Sequence, residues 1–246
     1  DDRAFVVPSQ MPWSAVGRIA FGGPGHCSGA LVSPRVVLTA AHCVFAGGGY
    51  YDPPARFYAG YHKGSYAAVS GVTSFWVPSG YDYRRHLNAW DVDGFDYAFL
   101  LLDRPIGLET GWFGTHRVTV EELDRAVAHR WRPLSQGGYS ADTPDQVSVN
   151  VDCPITAHFR DFTFAHHCDI MDGDSGSPLF VDDPAGGFGI IGVISTVIQG
   201  RRNFGIAVDS RAWSADLARY LARYDPLADY DQALVEAATA FQVTGR

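Results

Sequence analysis

Short runs of apolar or alternating residues recur along the chain, each broken by glycine, proline, asparagine or aspartate. Ala15–Phe21, Ser28–Leu31, Val36–Thr39, Ala55–Tyr61, Tyr97–Leu102, Gln146–Val151, Gly189–Val197 and Gly205–Val208 are of strand length and rich in Val, Ile, Tyr and Phe. Runs this short suit sheets with one or both faces buried, whereas a helix repeats its apolar positions every three to four residues. The helical period occurs at Thr119–His129, which opens with the capping-box pair Thr119 and Glu122, at Ser214–Tyr224, and in an Ala/Leu-rich tail over Asp231–Phe241. The pattern predicts a mostly-β chain with a C-terminal helix, its strands divided into two halves by the Thr119 segment. No internal repeat or low-complexity linker interrupts it.

Composition narrows the field. The chain has 246 residues, 46% apolar and 19% charged, enough for one large core or two small ones. A net charge of -8 argues against a nucleic-acid partner, which needs a basic face. The longest apolar candidate, Ile190–Ile198, falls far short of the ~20 residues of a membrane helix, so no membrane partner is expected. A start at Asp1 with no signal-like segment reads as a processed or trimmed form. Cys27, Cys43, Cys153 and Cys168 form two separated pairs without the C-x-x-C spacing of metal or redox sites. Two disulfides, each closing a loop of about 15 residues and each worth roughly 3 kcal/mol, are the simpler reading; four buried thiols are the alternative. Disulfides favour an oxidising compartment and hence a secreted protein.

Three sites carry candidate chemistry. In GDSGSP, Gly173–Pro178, a serine sits among small residues just after an acid. That composition suits a polar turn, and it equally suits a nucleophile whose backbone must approach a substrate closely. His42 in VVLTAAHCVF follows a strand-like run and precedes Cys43; Asp96 in FDYAFLLLD stands at the mouth of the apolar strand Ala98–Leu102. Singly, the histidine reads as a structural residue and the acid as a turn former.

Together, LTAAHC, D-Y-A-x-L-L-L and GDSGSP resemble the three signature blocks of the chymotrypsin-like (trypsin-fold) serine proteases, in that order and over roughly Pro12–Trp213. The order His, Asp, Ser separates this family from subtilisins and α/β-hydrolases. The chain is most similar to the bacterial secreted branch of V8-like and glutamyl endopeptidases. Asp1-Asp2-Arg3, Gly138–Tyr139, the C-D-x-x-x-G-x-S-G-S-P block from Cys168, and Ser177 where animal digestive enzymes carry glycine all point there. The resemblance implies an all-β fold of two six-stranded antiparallel Greek-key barrels with a C-terminal helix and an extra helical tail. It divides the chain into 1–118, 119–210 and 211–246: a first barrel carrying His42 and Asp96, a linker helix and second barrel carrying Ser175, and the tail. By resemblance Cys27 pairs with Cys43 and Cys153 with Cys168. Ser175 is then the nucleophile, His42 the general base and Asp96 its orienting acid, with the oxyanion hole formed by the amides of Gly173 and Ser175. Polypeptides are the implied substrates, with no cofactor and no metal, and a monomer is the default.

The resemblance also assigns a substrate pocket. Asp169 lies where trypsin-like enzymes place the acid that binds Arg or Lys, Gly205 matches an open pocket wall, Val197 would narrow the entrance, and Ser195 matches a serine near the triad aspartate. Ile194 occupies the place of the histidine found in glutamyl-specific members, which speaks against glutamate. Preference for Arg/Lys and preference for small or medium apolar side chains both remain open. Asp174 is expected to be buried and charge-compensated, by a freed N-terminal amine or by Arg3, because an unpaired buried carboxylate is costly. Asp91–Asp96 lacks the later glutamate of a calcium loop, and His166–His167 beside Cys168 lacks a fourth zinc ligand. Two other classes compete: a silent binding protein on the same fold, which would usually have lost a triad residue, and an esterase, which would need G-x-S-x-G on a strand–turn–helix.

Overall fold

The computed structural model describes residues 1–45, 49–86, 94–128, 134–184, 186–198 and 204–244, with side chains up to 240. After β1 (Ala4–Val6) come β2 (Val16–Ala20), β3 (His26–Leu31), β4 (Val36–Thr39), β5 (Arg56–Ala59), β6 (Ala68–Trp76), the short helix α1 (Tyr83–His86) and β7 (Ala98–Leu102). Helix α2 (Gly107–Thr110), β8 (Gly114–Thr115) and α3 (Val120–Val127) lead to the second half. That half holds β9 (Ser135–Gly138), β10 (Val147–Asn150), β11 (Ile155–His158), β12 (Thr163–His166), β13 (Pro178–Asp182), β14 (Phe188–Ile198) and β15 (Phe204–Asp209). Helices α4 (Ser210–Tyr224) and α5 (Gln232–Thr244) close the chain.

Strands β2-β3-β4-β7-β6-β5 form a closed barrel, the expected six. Its strands bury Ile19, Leu38, Phe57, Phe99 and Leu100, all 0–1% exposed. The second half is a barrel-like sheet with the order β1-β10-β9-β13-β14-β15-β12-β11, and β8 pairs parallel to β14. It therefore carries more than six strands. β1 lies antiparallel to β10 from Ala4↔Val149 to Val6↔Val147, and β11 forms a hairpin on β12. The architecture is mostly β with two barrel-like halves, as the chain's pattern and its resemblance imply.

The linker helix α3 starts where its capping box sits: Thr119 Oγ1 accepts from Glu122 N–H, and Glu122 Oε2 accepts from Thr119 N–H. Helix α4 begins at Ser210 rather than Ser214, because Asp209 caps it by accepting from Arg211 N–H. It buries Trp213, Leu217 and Tyr220. Beyond it, Asp225 is buried and accepts from Ser33 Oγ, Arg35 N–H and Tyr230 Oη, which pins the tail to the turn between β3 and β4. Helix α5 then packs on α2, with Val235 and Ala238 in the core beside the first barrel. Both expected disulfides form, Cys27–Cys43 and Cys153–Cys168. Among the described residues no helix is long and apolar enough to cross a membrane.

Candidate active site

Register places the first two candidate groups together. β4 and β7 run antiparallel with Thr39 opposite Ala98. His42, in the 3-10 turn Ala41–Val44 that follows β4, and Asp96, just before β7, therefore leave the barrel at one end. Asp96 is 2% exposed and His42 Nδ1 lies 2.9 Å from its Oδ2. His42 N–H donates to Oδ1 at 2.9 Å, and Ser195 Oγ donates to Oδ2. Burial alone would raise the Asp96 pKa, but the His42 charge and hydrogen bond, with His86 and Ser195, hold it down at about 2. Asp96 is thus held as an anion at neutral pH. Bonding to Asp96 through Nδ1 leaves His42 Nε2 without a bond to Asp96, and His42 and Ser175 line one cleft.

The turn bearing Ser175 is built from both halves. Ser28, on β3, donates its N–H to Ser175 O and its hydroxyl to Gly173 O, each at 2.8 Å, and its Oγ accepts from Tyr139 N–H. With its carbonyl so held, Gly173 adopts φ +90°. A Cβ there would lie 2.5 Å from both His26 Nε2 and Tyr139 O, so the position is closed to any other residue. The N–H groups of Asp174, Gly176 and Ser177 are bonded to Met171, Ile194 and Asp174 carbonyls. Among the described residues those of Gly173 and Ser175 enter no such bond. Two free donors, one on either side of Asp174, near a half-buried hydroxyl are suited to bind developing negative charge.

The cleft, about 500 Å³, is lined by His42, Ser175, Gly173, Ser195 and Val197, together with His26, His86, Ile170 and Ile194. His86 carries no motif and was invisible in the sequence. Its ring stacks on His42 at 3.9 Å with 10° between planes, and its Nδ1 lies 3.5 Å from Asp96 Oδ2. Burial, then the neighbouring His42, pushes its pKa down to about 4, so it is a neutral wall at working pH.

The chain matches the family model for trypsin over residues 5–214. It belongs to the trypsin family. A curated relative, the glutamyl endopeptidase of Bacillus licheniformis, is 28% identical over 183 residues, covering 73% of this chain and 53% of the relative. The chain thus spans about half the length of that relative. Among solved structures, a Glu endopeptidase aligns with a TM-score of 0.71 at 23% identity, covering 89% of this chain and 96% of the other. The protease Anisep from Arthrobacter nicotinovorans aligns at 0.63 and 17% identity, covering 88% and 99%. A thermostable serine protease, AL20, from an extremophilic microorganism aligns at 0.66 and 17% identity, covering 86% and 98%. These structures share the fold.

Within this trypsin-family chain two expected partnerships are different from those expected. Asp169 is not brought to the cleft. Its carboxylate is 46% exposed and accepts from Asp2 N–H at 3.0 Å, while its own N–H is fixed by Asn150 Oδ1 at 3.1 Å. The β1–β10 pairing carries Asp2 to this spot. Arg3, in turn, is engaged by Asp1 and Asp142, not by Asp174. Asp174 is fully buried, as expected, but its Oδ2 is held by Ser140 Oγ at 2.7 Å and Met171 N–H at 2.9 Å. Arg3 acts on it only at a distance. Gly205 sits behind the cleft wall opposite Val197 in the β14–β15 register. Asp91 and Asp93 lie outside the described residues. The bond between Cys168 and Cys153 removes the zinc reading of His166–Cys168.

Burial raises the Asp174 pKa from 3.8 to about 6. A folded-state value above the unfolded one stabilises the fold fully below 3.8, and that contribution is lost as pH rises through 6. Asp174→Asn cannot ionise. Its stability advantage over the wild type is therefore expected to grow by about 3 kcal/mol between pH 3.5 and pH 7 in urea unfolding. A difference that stays constant with pH would show that this carboxyl does not titrate in that range.

Proposed function

We propose that this chain is a serine endopeptidase. The observation that carries the reading is the anchored imidazole: His42 Nδ1 sits 2.9 Å from a buried, ionised Asp96 while His42 and Ser175 line one cleft. A serine hydroxyl is too weak a nucleophile alone at neutral pH and needs a base to accept its proton. In this reading Asp96 holds the proton on Nδ1, so Nε2 is free to take the Ser175 proton as Oγ bonds to the scissile carbonyl carbon. The carbonyl oxygen, now anionic, is received by the N–H groups of Gly173 and Ser175. His42 then protonates the leaving amine, the C–N bond breaks, and an acyl-enzyme remains on Ser175. Water, deprotonated by His42, releases the acid and restores the hydroxyl.

The preferred side chain before the cleaved bond is uncharged and of medium size. With Asp169 turned away, Ile170, Ile194 and Val197 give an apolar stretch of wall near Ser175, in a cleft that Asp52 and Asp172 also line. No Arg or Lys lines the cleft among the described residues, so a substrate carboxylate has no cation to meet there. The chain is read as exported, on its two disulfides and the resemblance of its sequence blocks to a secreted branch of the family, and as a monomer. A fluorophosphonate probe is expected to label Ser175, and cleavage-site mapping on a denatured protein mixture to return uncharged residues. An unlabelled Ser175 would favour the silent scaffold, and cleavage confined to Arg and Lys would restore the basic reading.

A further inference from the structure

His166 is wholly buried, yet the role of its ring is unassigned. In the sheet His166 lies directly opposite Gly205, and Gly205 directly opposite Val197. Residues paired across antiparallel strands point to the same face, so this row of three presents one face, and Val197 lines the cleft. The middle residue has no side chain. The imidazole leans into that gap: a Cβ on Gly205 would lie 2.3 Å from His166 Nε2 and 2.8 Å from Ile170 Cδ1. The imidazole edge and the Ile170 methyl are therefore neighbours, and Ile170 is cleft wall beside Ser175.

The ring's tautomer follows from its other nitrogen. Cys168 N–H donates to Nδ1 at 3.2 Å, so Nδ1 is the acceptor and the proton resides on Nε2. Nε2 is buried with no partner among the described residues. Burial holds the ring neutral, its pKa pushed down to about 3. A buried donor without an acceptor is costly, and a ligand that supplies the acceptor recovers that cost.

We propose that His166 is a specificity-determining residue whose Nε2–H, uncovered by a turn of Ile170, donates to the terminal oxygen of a substrate carboxamide side chain, glutamine or asparagine. The inference rests on the reading of this cleft as a protease site. An amide oxygen accepts the bond without bringing charge into an apolar wall. A carboxylate has to lose its hydration for a single neutral donor, which is unfavourable.

The test compares kcat/KM for peptides that differ only before the cleaved bond: glutamine, the unbranched apolar analogue norleucine, glutamate and arginine. The wild type is expected to prefer glutamine to norleucine about 10- to 100-fold, with glutamate below glutamine. His166→Phe should collapse that ratio to near one, and His166→Gln, which keeps an N–H donor, should restore part of it. Ratios within one variant cancel any general loss of activity, and fluorophosphonate labelling of Ser175 reports a working nucleophile in each. A wild type that labels but does not favour glutamine, one that favours glutamate, or a preference unchanged in His166→Phe would overturn the inference alone. Failure to label overturns both it and the protease reading. Should His166→Phe fail to fold, the imidazole 15N resonances of the wild type decide. A glutaminyl peptide aldehyde is expected to shift His166 Nε2 while the norleucyl aldehyde leaves it in place, and equal responses would overturn the inference.

Discussion

Asp96→Asn is expected to lower kcat/KM about 10⁴-fold while leaving the fold in place. The carboxylate accepts from three donors at once: His42 N–H, the His42 ring and Ser195 Oγ. An asparagine of the same shape keeps the volume but turns an NH₂ toward one of them. The least costly response is for the His42 ring to move its proton to Nε2 and accept at Nδ1. Nε2 then has no lone pair for the Ser175 proton, and the base is lost without any atom leaving its place. Because Asp96 is held at about 2, the wild-type acid limb above pH 4 should not report Asp96. Initial rates on a peptide ester, with circular dichroism as the control for folding, check the expectation. A loss smaller than about tenfold would mean that Asp96 does not set the tautomer of His42.

Gly176→Ala is expected to destabilise the protein by 4 kcal/mol or more, roughly, and to abolish soluble folded product. The residue adopts φ +83°, which costs about 1–2 kcal/mol for any L side chain. The larger part is steric. A Cβ would lie 2.0 Å from Thr39 Oγ1, 2.4 Å from Ser28 O and 2.9 Å from Ala40 N. Two of these are backbone atoms of the first barrel and cannot swing aside. Thr39→Ala removes only the first contact, so the double variant should recover a fraction of the loss. Urea unfolding measures both. A Gly176→Ala protein within about 1 kcal/mol of the wild type would show that the two halves separate easily at this point.

How much of this was legible in the sequence depends on where each residue's partners lie. β2, β3, β4, β5, β7, β10, β14 and β15 were readable because their own side chains alternate or are continuously apolar. β6 was missed, since its second half, with Thr73 and Ser74 exposed, resembles a polar loop. β9 was missed too: Ser135–Gly138 has no intrinsic strand preference and is held by the ladders of β10 and β13. At the site, the three blocks containing His42, Asp96 and Ser175 sit inside recognisable local patterns. Ser195 was readable for the same reason. His86 stacks on His42 from an element with no motif, and His166 acquires meaning only through a register that sets it opposite a glycine. The Asp169 reading followed a position count, but its side chain went to the N-terminal strand, a partner 167 residues away.

Ser28 makes the turn that bears Ser175 depend on the other half of the molecule as well. Both carbonyls it grips belong to residues about 145 positions downstream, so the bonds that hold the turn are complete only when β3 has docked against it. The Ser175 turn is thus held by bonds from both halves of the molecule. Exchanging one half for that of a relative would preserve two sound scaffolds and still scramble the arrangement between them, unless a hydroxyl at this one strand position travelled with its matching turn.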